Sequence, residues 1–545
     1  MLTLRLLASA LVLSLPAAAQ LTFVNVGPQK GLNTHTYINT NNHSLGVNWV
    51  DVDNDGWVDL FAVNGFGAPA HLYLNQGGTF VDGDHLLPPL PDRNMTQSIF
   101  GDYDNDGDDD IYICVDNESW LGIGGPNVPD GPPNILLKNY FVENGNRVLP
   151  GVPLFRDVAI SAGVQVLADP PLSGPTGYPG YRSFTAGWID FDGDGFLDLY
   201  VGNLARLEHD DPGNPNFFYR NQGDGTFNDV TANTGMESLG TDLWRPSLAM
   251  VTAHLDSDNL PDMYVVNNGK IATTVHHDYL WKNTGLGFVE TTVLSPGMGD
   301  DSLNGMGVDV ADLDRNGTWD LYITDNDAGF GTDDGNVLYL GNGDGTFQDN
   351  SADPAGVHAD NSWGCNFFDA DHDGWEDLYV AHMNDQDFMY RNNADGTFED
   401  VSVASGMLPF PFSSGARGSA QCDYDKDGDQ DIAVLVDWQG IVLLENQTPD
   451  QGNWLKVRLT GTTSNRNAIG TIVKIRYVDL EAGGSQTQMR QVKGAMSGHG
   501  QDDWVVHFGV GSATKIREVR VIWPTGERTL LLQQDANQLL EIVEP

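Results

Sequence analysis

The chain has 545 residues, 64 of them glycine, and carries 76 acidic against 27 basic side chains for a net charge of −49. That length exceeds one ordinary core, so two domains or one repetitive architecture is expected. A charge of this sign excludes nucleic acid as a partner, because phosphate binding needs a basic surface.

The first segment, residues 1–19, reads "MLTLRLLASALVLSLPAAA": Arg5, an apolar run, a break at Pro16 and a small-residue AxA ending. This is the pattern of a secretory signal peptide cleaved after Ala19, which predicts a secreted, periplasmic or cell-surface protein. No later stretch is apolar for the roughly 20 residues that a membrane span needs. Export permits disulfides, yet only Cys114, Cys365 and Cys422 occur, without CxxC spacing, so buried thiols are expected.

From residue 20 the chain lacks long runs of 3.6-residue apolar period, and the fold class is read as all-β. One pattern recurs: "DVDNDGWVD" at 51, "DYDNDGDDD" at 102, "DFDGDGFLD" at 190, "HLDSDNLPD" at 254, "DLDRNGTWD" at 312, "DADHDGWED" at 369 and "DYDKDGDQD" at 423. Carboxylates this close repel unless a cation sits among them. Calcium takes about six to eight oxygen ligands. It suits side-chain oxygens at positions 1, 3, 5 and 9, a backbone carbonyl at 7 and glycine at 6.

The predicted ligands are Asp51, Asp53, Asp55, Trp57 and Asp59 in the first loop, and Asp102, Asp104, Asp106, Asp108 and Asp110 in the second. They are Asp190, Asp192, Asp194, Phe196 and Asp198 in the third loop, and Asp312, Asp314, Asn316, Thr318 and Asp320 in the fifth. The sixth offers Asp369, Asp371, Asp373, Trp375 and Asp377, and the seventh Asp423, Asp425, Asp427, Asp429 and Asp431. In the fourth loop His254 replaces the first aspartate and Asn259 the glycine, so that loop is expected to be weak or empty. About six calcium ions are therefore predicted.

Each loop is flanked by apolar or alternating segments such as "FLDLYVGN", and each is followed by a hairpin such as "FFYRNQGDGTFNDV", giving four strands per unit. Short four-stranded units repeated in this way describe a propeller of seven blades over residues 20–450. The seventh unit lacks the GTFxD tail, while the mature N-terminus begins "LTFVNVGPQKGL". An N-terminal strand is thus expected to complete the seventh blade, leaving no open edge. These repeats resemble the secreted FG-GAP or VCBS-type propellers, also found in integrin α subunits, and that resemblance implies calcium bound between the two innermost strands of a blade.

From residue 453 to 545 the balance shifts to 9 acidic and 11 basic residues, with alternating segments such as "WLKVRLTG" and "IREVRVIW" that predict a small C-terminal β domain. "NAIGTIVKI", "HFGVG" and "VIWPTG" resemble the ASPIC/UnbV domain that follows such propellers in the cartilage acidic protein family. The turn "GAMSGHGQDD" departs from that family's pattern.

No GxSxG, HExxH, P-loop or GxGxxG signature is present. The acidic pairs Asp210/Asp211 and Asp333/Asp334 read as solvated loop charge, and His276–His277 as an exposed loop pair without a third metal ligand. The variable connections opposite the calcium loops bring Trp120, Tyr178, Tyr181 and Phe330, with Trp244 and Trp363 on nearby segments, and aromatic faces beside carboxylates suit carbohydrate or peptide. Two functions follow: an extracellular binding or adhesion module for a glycan or protein ligand, and a calcium-dependent polysaccharide lyase or hydrolase with its site on that face. The module is favoured, since no catalytic constellation is visible.

Overall fold

The computed structural model describes residues 20–32, 46–64, 69–90, 94–116, 134–149, 151–165, 182–204, 215–236, 246–256, 258–267, 270–271, 274–275, 277–295, 298, 305–326, 335–350, 356–357, 359, 361–383, 386–407, 415–436, 439–449, 451–495 and 499–545. The signal segment lies outside them. The regular secondary structure of these residues is strand, apart from short helical turns such as Ala159–Ala162 and Ser402–Ser405. Among the described residues no helix is long and apolar enough to cross a membrane.

Strands Val47–Val50, Asp59–Ala62, His71–Asn75 and Phe80–Asp82 pair in that order, each antiparallel to the one before. The same meander starts again at Asn94–Gly101, Ser183–Ile189, Ser247–Ala253, Gly305–Ala311 and Ser362–Phe368. A further sheet holds Ala416–Cys422, Asp431–Val436 and Gly440–Asn446, and its fourth strand is Phe23–Asn25, with Phe23 opposite Asn446 and Asn25 opposite Leu444. The sheets are numbered here by their acidic loops, so this one is the seventh.

Burial falls from the first strand to the fourth. Ser183–Ile189 is buried along its whole length, whereas Phe227–Asp229 buries only its phenylalanine. This is why first strands read as apolar runs and the fourth as the single Phe of GTFxD. Adjacent sheets meet through aromatic rings: Trp49 of the first stacks on Tyr424 of the seventh at 6.3 Å, and Phe191 and Phe218 of the third reach Phe288 of the fourth at 6.0 and 5.3 Å. Each such ring, fully buried, is worth roughly 1.5–3 kcal/mol. Cys114, Cys365 and Cys422 are buried and free, as expected.

The C-terminal segment forms two sheets. Asn453–Thr460 runs antiparallel to Val505–Gly511 and parallel to Leu539–Val543; the other sheet is ordered Gly484–Gln491, Ile472–Asp479, Lys515–Ile522, Arg528–Asp535. Val457, Val473, Phe508 and Val519 fill the space between them. Glu544 ties down the chain end by accepting the Thr462, Thr463 and Ser464 N–H groups at 2.9, 2.9 and 2.8 Å.

Residues 491–495 and 499–502, which include described residues of the turn that departs from the family pattern, meet the first strands of all seven sheets. Gly500 and Gln501 pair in parallel with Val47 and Asn48 of the first. Gln501 accepts the Phe100 N–H of the second at 2.7 Å, and the Trp188 N–H of the third reaches the Gly494 carbonyl at 3.0 Å. Gln491 donates to the Thr252 carbonyl of the fourth at 3.1 Å, and Lys493 meets the buried Asp309 of the fifth at 2.6 Å. Asp502 accepts from Asn366 of the sixth at 3.3 Å and from the Gln421 N–H of the seventh at 2.8 Å.

Gly500 has no room for a side chain here, because a Cβ on it would stand 1.8 Å from the Ser419 carbonyl oxygen. Gly500→Ala is therefore expected to lower the melting temperature by several degrees, corresponding to an overpacking cost of about 1–3 kcal/mol. Thermal unfolding of the variant beside the parent checks this, and an unchanged midpoint would contradict the threading.

Candidate metal centres

Where position 1 of an acidic loop is aspartate, it holds the turn together. Asp51 accepts the N–H groups of Asp55 and Gly56 at 3.0 and 2.8 Å, Asp102 those of Asp106 and Gly107 at 3.0 and 2.8 Å, and Asp190 those of Asp194 and Gly195, both at 3.1 Å. Such a tight turn needs a left-handed residue at position 6, which is why glycine stands there, with φ of 88° at Gly56 and 105° at Gly107.

Position 9 has a different task. Asp59 accepts the Val52 N–H at 3.0 Å with one oxygen and the Asn75 N–H at 2.8 Å with the other. Asp198 does the same with Phe191 and Asn221, and Asp377 with Ala370 and Asn392. The asparagine then donates its side-chain amide to the neighbouring sheet: Asn139 to the Val52 carbonyl at 3.0 Å, Asn221 to Tyr103 at 2.8 Å, Asn283 to Phe191 at 2.8 Å and Asn75 to Tyr424 at 2.9 Å. Sequence reasoning passed over these asparagines. Their signal was visible as the N of "LYLNQ", "FYRNQ" and "LWKNT".

Carboxylate oxygens of positions 1, 3 and 9, or 1, 3 and 5, converge within 4.8 Å as Asp51/Asp53/Asp59, Asp102/Asp104/Asp110, Asp190/Asp192/Asp194 and Asp312/Asp314/Asp320. Many of these oxygens are buried without a hydrogen-bond partner: Asp53 Oδ1, Asp104 Oδ1, Asp192 Oδ1, Asp369 Oδ1, Asp423 Oδ1 and Asp431 Oδ2. Desolvated oxygens facing no donor cost several kcal/mol each unless a cation sits among them. An all-oxygen set of this kind fits calcium and not zinc.

Fixed cations reach some loops. Lys138 contacts Asp104, and Asp106 at 2.9 Å; Arg220 contacts Asp192 and Asp194 at 2.6 and 2.9 Å; Arg391 contacts Asp371 at 2.7 Å. Lys456, from the C-terminal segment, contacts Asp423. In the fourth loop the Lys282 ammonium contacts Asp256, and Asp258 at 3.3 Å, while His254 Nε2 lies 2.8 Å from the Gly470 carbonyl. Leu74 and Leu340 occupy the corresponding place in the first and fifth sheets. The position-7 rings of Trp57 and Trp375 are covered by Lys426 and Arg315 at 3.8 and 3.9 Å.

Of the predicted ligand-face aromatics, Trp120, Tyr178, Tyr181, Trp244 and Phe330 lie outside the described residues, as do Asp210/Asp211, Asp333/Asp334 and His276. Trp363 is described and is 4% exposed, with the Arg417 guanidinium 4.1 Å from its ring and His499 beside it. Its ring packs inside the molecule instead of standing on the face.

The FG-GAP-like repeat model matches residues 23–113, 254–323 and 369–434, and the ASPIC and UnbV model matches 461–545. The chain thus carries FG-GAP-like repeats followed by an ASPIC and UnbV domain, as the motifs implied. Mouse cartilage acidic protein 1 is 23% identical over 545 aligned positions, covering 92% of this chain and 74% of that one. Mouse integrin alpha-7 is 29% identical over 177 residues, 30% of this chain, and the match spans only 12% of the integrin. Among solved structures, Bacillus licheniformis rhamnogalacturonan lyase PL11 aligns over 78% of this chain and 75% of its own, at 12% identity and a TM-score of 0.38.

Without metal the position-1 carboxylates of the first three loops hold their protons to higher pH. Burial first, then neighbouring carboxylates, push Asp51 up to about 6, Asp190 to about 7 and Asp102 to about 8, from an ordinary value of 3.8. The folded state then binds more protons than the unfolded one between those values, so stability falls as pH rises through them. In chelator the melting temperature is expected to drop from about pH 5 to about pH 8, and in excess calcium that drop should vanish. A chelated protein that melts higher at the alkaline end would refute this.

Proposed function

We propose that the chain is a secreted, calcium-scaffolded β-propeller of seven blades, closed by its N-terminal strand, that acts as an extracellular binding module for a glycan or protein ligand. The observation that carries the metal part is the set of buried, partnerless carboxylate oxygens converging in the repeated loops. Calcium held by Asp51, Asp53, Asp55 and Asp59, and by their counterparts in the second, third, fifth, sixth and seventh loops, would supply the missing positive charge and join the first two strands of each sheet. The fourth loop, where His254 stands in place of the first carboxylate and Lys282 meets Asp256 and Asp258, is left out of the set.

Ring closure is supported by three contacts between the first and seventh sheets: Val47–Val50 beside Ala416–Cys422, the Asn75 amide on the Tyr424 carbonyl, and Trp49 on Tyr424. The boundaries that fit this reading are 1–19 for the signal peptide, 20–450 for the propeller and 453–545 for the C-terminal domain. Calcium acts here as scaffold and not as bridge to the ligand, because C-terminal residues cover much of the metal face. Arg466 N–H meets Asn105 of the second loop at 2.9 Å, Thr463 abuts Gly195 of the third, His372 of the sixth meets Gly452, and Lys456 sits on Asp423 of the seventh. The variable connections at the other end of the strands remain for recognition.

A glycan array with product analysis tests the reading: binding without cleavage is expected, whereas new reducing or unsaturated ends would make the protein a lyase or hydrolase. Metal analysis of protein purified in calcium should find about six ions per chain; two or fewer would sink the scaffold. Asp190→Ala should lower the melting temperature and leave ligand affinity nearly intact in the cold, where the protein stays folded. Deleting residues 20–31 should cost far more stability than an ordinary terminal trim, because it removes the edge strand of the seventh sheet. A truncated chain with parental melting and calcium content would refute closure.

A further inference from the structure

The fourth loop departs from its siblings, and a cavity lies against it. Between the fourth and fifth loops and the sheet of residues 472–535 is a space of about 200 Å³, lined among others by His254, Thr318, Trp319, Ile472, Lys474 and Ile522. Lys474 is also a wall of a second, more open space of about 360 Å³, which continues past Arg476, Thr487, Glu518 and Arg520. The two make one groove with Lys474 at the joint.

The charge of that groove is opposite to the rest of the molecule. Lys474 has no ion pair among the described residues. Arg476 Nη2 lies 3.1 Å from one oxygen of Glu518, and Arg520 holds the other oxygen, so one carboxylate answers two guanidinium groups. Lys474 also faces Asp312 of the fifth loop, and Asp256 lines the closed end, so the excess of positive charge lies at the open end, where Arg476 and Arg520 share the single carboxylate of Glu518, on a chain of net charge −49. Arg476 and Arg520 remain about half exposed, at 56% and 47%, and are open to a ligand.

At the closed end the chemistry changes. His254 is buried, its Nε2 lies 2.8 Å from the Gly470 carbonyl and so carries the proton, and its Nδ1 is left an acceptor without a partner. Asp256, which also lines this end, is already met by Lys282. Trp319, Ile472 and Ile522 give apolar surface beside that acceptor. The groove therefore asks for carboxylates at intervals, a hydroxyl donor, and C–H surface to lie on the apolar wall.

We propose that this groove binds an acidic polysaccharide through its uronate sugars, with carboxylates on Lys474, Arg476 and Arg520 and a sugar hydroxyl on His254 Nδ1. An acidic peptide fits less well. Strands Ile472–Asp479 and Lys515–Ile522, which form the wall, are the two middle strands of their sheet, so their backbone groups are already paired and offer no edge for strand addition. The site lies on the metal side of the propeller and is separate from the variable connections invoked above, so it goes beyond that reading.

The test is calorimetric titration of the calcium-loaded mature chain with tetrasaccharides of polygalacturonate, alginate and hyaluronate, with maltotetraose and a poly-glutamate peptide as controls. At least one uronate tetrasaccharide should bind, with affinity falling as salt rises, and maltotetraose should not. Lys474→Met and Arg520→Gln should each weaken binding about tenfold or more, as expected for losing a charged hydrogen bond. His254→Gln should weaken it less, and Lys474→Met should melt like the parent because it breaks no ion pair. Failure of every uronate probe to bind, or poly-glutamate binding as tightly as the sugar, overturns the proposal. Uronate binding that ignores all three substitutions also overturns this site, while leaving the binding-module reading intact with its ligand elsewhere.

Discussion

The arrangement depends on what one buried carboxylate does with its two oxygens. At position 9 of the first six acidic loops an aspartate receives a loop N–H on one side and the N–H of a third-strand residue on the other, as Asp59 does with Val52 and Asn75, while Asp431 of the seventh keeps only the third-strand bond. Hydrogen bonds to a charged group are worth about 1.5–3 kcal/mol each, and leaving that group unmade is costlier still. The aspartate thereby fixes the loop to its own sheet, and the asparagine it orients, present in every sheet but the fifth, where Gly341 stands, fixes that sheet to the one before. Asn139, Asn221, Asn392 and Asn446 reach Val52, Tyr103, Leu313 and Ala370 in turn, always the second residue of the preceding loop. Sheet, loop and inter-sheet contact are one linked system.

That system accumulates negative charge, and the fold answers it in more than one currency. Lys138, Arg220 and Arg391 rise from the third strand, one residue before the linking asparagine, to contact positions 3 or 5 of the loop. In the first and fifth sheets Leu74 and Leu340 stand there instead. Those two loops have no ammonium or guanidinium from their own third strand, and their opposite charge comes from elsewhere, from Lys426 of the seventh loop beside the first and from Arg490 and Lys474 of the C-terminal segment beside the fifth. The C-terminal segment contributes as well, through Lys456 at Asp423 and Arg490 at Glu376. Its slight positive balance in a strongly acidic protein is thereby accounted for: it docks where the acid is.

What was legible in the sequence was periodic. The aspartate spacing, the hairpin with its buried phenylalanine and the missing seventh tail all repeat or fail to repeat at a fixed offset, and strands appear where those signals stand. Non-periodic features stayed hidden. Lys493, Gln501 and Asp502 meet Asp309, Phe100 and Gln421 across 184, 401 and 81 positions, and no local pattern announces such a partner. The asparagine link was written in the quoted hairpins, yet its meaning lies in a contact to the sheet before, which a single repeat does not contain. Trp363 illustrates the converse: an aromatic residue next to a variable connection suggested a surface, but its strand is buried on both faces and Arg417 covers the ring.

The fourth sheet shows how these constraints permit a departure. Replacing the first aspartate with His254 removes the acceptor that elsewhere takes the position-6 N–H, and Asn259 tolerates the left-handed φ of 63° that glycine usually adopts. Asp262 still clamps Leu255 and Asn283, and Asn283 still reaches Phe191, so the link between sheets survives the change. Lys282 meets the two remaining loop carboxylates. The histidine is then free to turn its Nε2 to Gly470 of the C-terminal segment. Structural duty rests on position 9 and its asparagine, and positions 1 to 6 of a single loop can change chemistry without opening the fold.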